Sequence, residues 1–262
     1  MKLISWNIAG RLSCVNKQIR YLIDGNFDII CLQEVISKAE VSIVKQFKSS
    51  GYNSINSVPN SSLPSKGKHK FNLLIISKAN IKHKPPLHSI KWKEKYLTGL
   101  LKFDSKDIEV TTMHVPPGSS NGIEKIVSIE QFYENIIDSK SKYRIICGDW
   151  NTPREEAENG EITTWMSTGK NAGDRKRWDE GERLLLEGLK DIGIYDSFRQ
   201  LHGFGLKDYS WYIKTKDEIK GRRYDHIHTS DTLVIEKCYY DHSVRESKLS
   251  DHSAIISEFN FD

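Results

Sequence analysis

The feature that most restricts this chain is a recurring pattern. Short apolar runs of strand length stop at polar residues able to ligate metal or carry protons. Asn7 follows Leu3-Ile4-Ser5-Trp6, Glu34 follows Ile29-Ile30-Cys31-Leu32-Gln33, and His114 follows Val110-Thr111-Thr112-Met113. Asp149 and Asn151 follow Ile145-Ile146-Cys147-Gly148; Asp225 and His226 lie in Arg222-Arg223-Tyr224-Asp225-His226-Ile227; Asp251 and His252 precede Ser253-Ala254-Ile255-Ile256. Taken singly, a carboxylate or amide after a strand is usually a turn or helix cap. Six strand ends carrying one chemistry argue for one site, because α/β folds build their sites from loops at strand ends. Carboxylate and amide oxygens suit hard Mg²⁺. Histidines beside them can bind phosphate or move protons near neutral pH.

The apolar pattern along the chain gives the architecture. Val15 to Gly25 reads as a helix, with Val15, Ile19, Leu22 and Ile23 on one face. Lys38 to Ser50 reads as a second helix ended by Gly51. Asn56 to Lys70 reads as an exposed loop. Asn72 to Ser77, Leu97 to Phe103 and Asp107 to Met113 read as strands with little helix between them, which favours antiparallel hairpins. Ile123 to Ser139 is helical, Tyr143 to Cys147 a buried strand, Arg154 to Asp179 irregular and charged, and Glu180 to Leu189 a helix. The remaining strands fall at Ile192 to Phe198, Ser210 to Ile213, Tyr224 to Thr229 and Ala254 to Phe259. Mixed strands with helices on both sides imply a four-layer α/β sandwich, two packed mixed sheets flanked by helices. No linker or repeat divides residues 1–262, so a single domain is expected.

The bulk properties exclude several classes. At 37% hydrophobic and 28% charged, the chain matches neither a disordered nor a membrane-spanning protein. No leader precedes the first motif, and the four cysteines lack a CxxC pair, so a reducing, cytoplasmic setting and a monomer are expected. The net charge of +4 suits an anionic substrate.

Asp149 and Asn151 are two apart, so in extended backbone their side chains face the same way and can hold one water between them. Ser5-Trp6-Asn7-Ile8, Leu32-Gln33-Glu34-Val35, Gly148-Asp149-Trp150-Asn151, Arg223-Tyr224-Asp225-His226 and Ser250-Asp251-His252-Ser253 follow in order from residue 5 to 253. Together they resemble the motifs of the endonuclease/exonuclease/phosphatase superfamily, nearest to exonuclease III-like and deoxyribonuclease I-like nucleases. The resemblance implies Glu34 as principal Mg²⁺ ligand, with Asn7 and Asp251 nearby and Mn²⁺ as an alternative ion. It implies that Asp149, assisted by Asn151, positions or deprotonates the attacking water. Asp225 would orient His252, which would contact the scissile phosphate or act as base. His114 would bind phosphate or protonate the leaving oxygen.

The substrate class is read from the second half. Asp196-Ser197-Phe198-Arg199, Tyr209-Ser210-Trp211-Tyr212 and Arg222-Arg223-Tyr224-Asp225 resemble the exonuclease III branch, although Arg222 and Arg223 stand where abasic-site enzymes carry an aromatic residue. Trp211 and Tyr224 could stack on a nucleotide, and Arg222 and Arg223 beside them are expected among the substrate-binding residues. The stretch Lys170 to Trp178, containing Arg175, Arg177 and Trp178, combines cations with an aromatic, as a phosphate backbone and a stacked base require. These features favour a nuclease on DNA or RNA over a phosphatase of small-molecule or lipid esters, and either over a non-catalytic binding module.

Overall fold

In the computed structural model, which describes residues 1–262 except 166–171, 215, 217 and 262, the apolar runs are strands of two sheets. In chain order the elements are β1 (Lys2–Asn7), α1 (Val15–Asp24), β2 (Ile29–Ile36), α2 (Ser37–Ser49), β3 (Asn53–Asn56), β4 (Phe71–Ser77), β5 (Ile81–Lys84), β6 (Tyr96–Phe103), β7 (Lys106–His114), α3 (Gly118–Asn121), α4 (Glu124–Ile137) and β8 (Tyr143–Asp149). They continue with β9 (Glu155–Glu156), β10 (Ile162–Thr163), α5 (Ala172–Leu186), β11 (Ile194–Asp196), α6 (Ser197–His202), β12 (Trp211–Lys214), β13 (Ile219–Arg222), β14 (Asp225–Ser230), β15 (Leu233–Asp241), α7 (Ser243–Glu246) and β16 (Ala254–Phe261).

The first six-stranded sheet runs β15-β16-β1-β2-β4-β3 and the second β11-β14-β8-β7-β6-β5. Each has one parallel pair, β1 with β2 and β7 with β8, and its other pairs are antiparallel. Parallel neighbours end together, and the antiparallel strands beside them begin at the same edge. One edge of each sheet thus collects polar residues from four chain segments.

Side chains alternate along each strand. Leu3, Ile29 and Cys31 of the first sheet meet Val110, Ile145, Cys147 and Ile227 of the second in the central core. Ile4, Trp6, Ile30 and Leu32 face the other way and pack on Val15, Ile19 and Leu22 of α1 and Ile43 and Phe47 of α2. Met113 and Ile146 face Ile126, Ile129 and Phe132 of α4 and Leu185 of α5. The layers are helix, sheet, sheet, helix, as the alternation implies. Among the described residues, no helix is long and apolar enough to cross a membrane.

The short strands β3, β5 and β13 were not anticipated, and two longer segments also differ from the sequence reading. Residues 154 to 179 are not irregular throughout. They contain the β9–β10 hairpin and the first half of α5, which starts eight residues before the expected Glu180. Lys170 and Asn171 of the expected basic loop lie outside the described residues. The nine-residue strand β15 was not anticipated. A bulge between Ile235 and Lys237 resets the alternation that would reveal it, and β15 is an edge strand carrying solvated charges.

Candidate active site

In the second sheet, His114, Asp149 and Asp225 form one row across three strands, because β7 pairs His114 with Asp149 and β14 pairs Asp225 with Asp149. In the first sheet, Asn7 ends β1 beside Gln33 of β2. Glu34 sits where the β2–β4 register shifts between Leu32 and Val35, with a left-handed φ of 55°. A non-glycine residue in that region is uncommon and strained, and it concentrates at functional sites. The bulge turns the Glu34 side chain out of the alternation and toward the second sheet, where its Oε1 lies 3.6 Å from His114 Nε2.

The sheets are joined at this edge. Asn7 Nδ2 donates to Asp149 Oδ2 at 2.9 Å. Below them buried Gln33 donates to Ser5 Oγ at 3.1 Å and to Thr112 Oγ1 at 2.9 Å, spanning the gap. The loop before β16 is tied to the end of β1. Ser250 Oγ donates to the Asn7 carbonyl at 2.6 Å, accepts the His252 amide, and Trp6 Nε1 donates to the His252 carbonyl. His252 is thereby held with Nδ1 2.7 Å from Asp225 Oδ2 and Nε2 3.8 Å from Asp149 Oδ2.

Burial and charge set the protonation states. Burial opposes a charged His252, but the Asp225 and Asp149 carboxylates outweigh it and raise its pKa to about 10. Burial, with Asp225 and Glu34 nearby, pushes the Asp149 carboxyl up, while His252 and the Asn7 amide oppose the rise. His114 is pushed well down by burial, then by the cations of Lys95 and His252.

The gathered residues are Asn7, Glu34, His114, Asp149, Asp225 and His252. Asn151 adjoins them in a different manner from the one expected. β8 stops at Asp149, and Asn151 has φ 52°, so the two side chains are not related by extended backbone. Its amide N–H donates to Asp149 Oδ1 at 3.0 Å and its Nδ2 donates to the Val115 carbonyl at 2.9 Å, leaving Oδ1 as the free acceptor. Asp251 is not gathered. It is half exposed, 3.8 Å from Arg11 and 3.4 Å from Trp211 Nε1.

The expected substrate-binding residues divide. Trp211 is partly exposed, stacks on Tyr224 with centroids 5.5 Å apart, and lies 6.4 Å from the His252 ring, forming one wall of the site. Arg175 is exposed on α5. Arg177 is paired with both carboxylate oxygens of Glu130. Trp178 faces inward, because a helix and not a loop carries it, and its Nε1 donates to buried Glu182. Arg222 is buried over the Trp165 ring at 5.4 Å. Arg223 is buried and bridges Glu156 and Asp196.

The model of the endonuclease/exonuclease/phosphatase family matches residues 4–252. The chain belongs to this family. Exodeoxyribonuclease III of Haemophilus influenzae is 27% identical over 280 residues, covering 99% of this chain and 100% of that protein. Among solved structures, the fold is shared with an AP endonuclease from Archaeoglobus fulgidus (TM-score 0.72, 19% identity, 99% of each chain). It is shared also with the 3′ phosphatase NExo from Neisseria bound to product DNA hairpin (TM-score 0.73, 18% identity, 100% of each chain). This member of the endonuclease/exonuclease/phosphatase family is accordingly a hydrolase of phosphate ester bonds, of the endonuclease/exonuclease type.

The residues present fit a divalent cation. The carboxylates of Glu34 and Asp149 gather around His114, with one atom from each of the three residues within 4.8 Å of the others. Among the described residues, the Glu34 carboxylate accepts no hydrogen bond, and Asp225 Oδ1 is buried without a partner. Oxygen donors left bare in this way are the donor set a hard ion requires.

The sequence reading missed one residue of this family member's site. Lys95, almost fully buried, lies with Nζ 2.9 Å from His114 Nδ1. Burial lowers its pKa to about 8, against the pull of Glu34, Glu94 and Asp149. In sequence it belongs to Lys93-Glu94-Lys95, which reads as a solvated charge run.

Proposed function

We propose that the protein is a Mg²⁺-dependent phosphodiesterase that hydrolyses DNA by in-line attack of water, with Mn²⁺ able to substitute. The observation that carries this reading is the junction at Asp149. Both its oxygens are aimed by donors, Asn7 of β1 and the Asn151 amide just past β8, with His252 and His114 at 3.8 Å. The relatives' names, exodeoxyribonuclease and AP endonuclease, support DNA as the substrate.

Glu34 would hold the ion, with the side-chain Oδ1 of Asn7 beside it and Asp251 at the rim of the site. When bound, the ion supplies neutralisation of the non-bridging phosphate oxygens and of the developing alkoxide. Asp149 orients the water and accepts its proton. Burial raises its basicity while the Asn7 and Asn151 donors fix its plane. Asp225 accepts a hydrogen bond from Nδ1–H of His252 and stabilises the imidazolium, so Nε2–H faces the phosphate as a cationic donor. His114 presents a neutral Nε2–H for the leaving oxygen, since Lys95 occupies Nδ1. Trp211, stacked on Tyr224, offers a partly exposed face to a nucleotide beside His252.

The test is a panel of end-labelled oligonucleotides, namely single-stranded, duplex, nicked, abasic, 3′-phosphorylated and RNA, incubated with Mg²⁺ or Mn²⁺. Wild type is expected to cleave DNA. His252→Ala should lower kcat roughly 10²- to 10⁴-fold, the contribution of a positioned acid or base, and Glu34→Gln should abolish the response to metal. Wild-type protein that leaves every nucleic acid intact while hydrolysing sugar or lipid phosphates would overturn the assignment to DNA.

A further inference from the structure

We propose that Asp196, His226 and His228 form a second metal site, apart from the catalytic groups and suited to a transition ion of the Zn²⁺ type. His226 Nε2 is 2.8 Å from the Thr152 carbonyl. A carbonyl only accepts, so Nε2 carries the proton and Nδ1 is a bare lone pair. That Nδ1 is buried without a hydrogen-bond partner among the described residues and lies 3.8 Å from Asp196 Oδ2. Two electron-rich atoms thus face each other across a gap too long for a hydrogen bond. His228 is 3% exposed, neither of its ring nitrogens has a hydrogen-bond partner among the described residues, and its Nε2 is 3.6 Å from the same oxygen.

One ligand atom from each of the three residues lies within 4.8 Å of the others. Ligands about 2.0–2.1 Å from a tetrahedral Zn²⁺ stand roughly 3.4 Å apart, so the Asp196–histidine gaps of 3.6 and 3.8 Å close with a small inward movement. The Thr152 carbonyl on the far nitrogen of His226 is the outer contact that metal-binding histidines commonly make. Two imidazoles and one carboxylate favour Zn²⁺ over Mg²⁺. A cavity of about 460 Å³, lined in part by Ile162, Leu186, Ile194, Asp196, Arg199 and His228, provides access and room for a solvent ligand.

Arg223 also reaches Asp196 Oδ2, at 2.6 Å, but it keeps both oxygens of Glu156. Its cation selects for an ion held by bonding to imidazole and against one held by charge alone. The consequence of binding is structural. Trp150 stacks on His226 (4.5 Å, 18°) and lies 4.6 Å from His228, and it separates Asp149 from Asn151. An ion here braces the strand end that carries the water-positioning carboxylate.

The test uses the full chain, freed of metal by chelation and then held in saturating Mg²⁺ to occupy the catalytic groups. Titration with Co²⁺, followed by its visible absorption, should show one equivalent in a tetrahedral field. Zn²⁺ should displace it and raise the melting temperature. His228→Leu and His226→Phe should each lose that equivalent, whereas Glu34→Gln should keep it. His228 borders the cavity, so His228→Leu decides the matter if His226→Phe does not fold. Absence of a Co²⁺ equivalent in the wild type, or its retention in folded His228→Leu, would overturn the proposal.

Discussion

At His114 the two ring nitrogens face opposite surroundings: Nδ1 meets the Lys95 ammonium at 2.9 Å, and Nε2 points between Glu34 and Asp149. An ammonium only donates, so Lys95 fixes the tautomer that carries hydrogen on Nε2. Lys95 is therefore a positioning residue. Lys95→Met should lower kcat about 10- to 100-fold, the scale of losing an outer-shell partner, with KM little changed, and Lys95→Arg should recover part of the loss. Steady-state kinetics on a cleaved oligonucleotide check this; a change confined to KM would assign Lys95 to substrate binding instead. Why Lys95 was illegible while Asn7, Glu34, His114, Asp149, Asp225 and His252 could be picked out is a matter of context. Those six flank strand-length runs, which the sequence displays, whereas the burial of Lys95 depends on Phe71 and His114 closing over it from other strands. The same limit applies to Arg223, expected among the substrate-binding residues: its charge is visible in sequence, but its partner Glu156 is 67 residues away.

At the scale of elements, the parallel pair β7–β8 determines whether His114 and Asp149 share a row. Gly148 makes their close approach feasible. It has φ 136°, and a Cβ built there would lie 1.9 Å from the Met113 carbonyl oxygen, which belongs to backbone and cannot swing aside. Gly148→Ala should destabilise the protein by at least about 1–3 kcal/mol, the usual cost of overpacking, and should reduce kcat as well, since separating β7 from β8 moves His114 away from Asp149. Urea midpoints and kcat measured on the same preparation test the link; a lower midpoint with unchanged kcat would show that the row survives the strain. Strands such as β1, β2, β7 and β8 were legible because they are buried on both faces and read as continuous apolar runs. Edge strands β3, β5 and β15 were not, since solvation on one side and at the open edge permits polar residues that blur the pattern. The start of α5 was hidden by its charged first turns, whose inward residue, Trp178, resembles a substrate-stacking aromatic until the helical period is known.

For the whole molecule, buried charge links parts of the chain that the hydrophobic layers alone would leave loosely joined. Glu156 in the β9–β10 hairpin binds Arg223 at 2.7 Å, ahead of β14, and Arg199 of α6 at 2.7 Å, while Arg223 also binds Asp196 at the end of β11. Burial alone would raise the Glu156 carboxyl, but Arg223 and Arg199 outweigh it and lower its pKa from 4.5 to about 2. A depressed carboxyl pKa contributes stability that is fully present above the ordinary value and is lost as pH falls through the folded one. The window here runs from about pH 4.5 down to about pH 2, and the shift corresponds to roughly 3 kcal/mol. Glu156→Gln leaves two buried guanidinium groups short of an anion, so it should cost about 3–5 kcal/mol at pH 7. Urea midpoints of wild type and variant should converge as pH is lowered from 5 toward 2, because the wild type then protonates the group that the variant already lacks. Parallel curves across that range would mean that the hairpin is held by packing and that the ion cluster adds no net stability. Convergence would identify acid unfolding as a process that starts at the outer edge of the second sheet and reaches the candidate catalytic row through β14, whose first residue, Asp225, is two residues after Arg223.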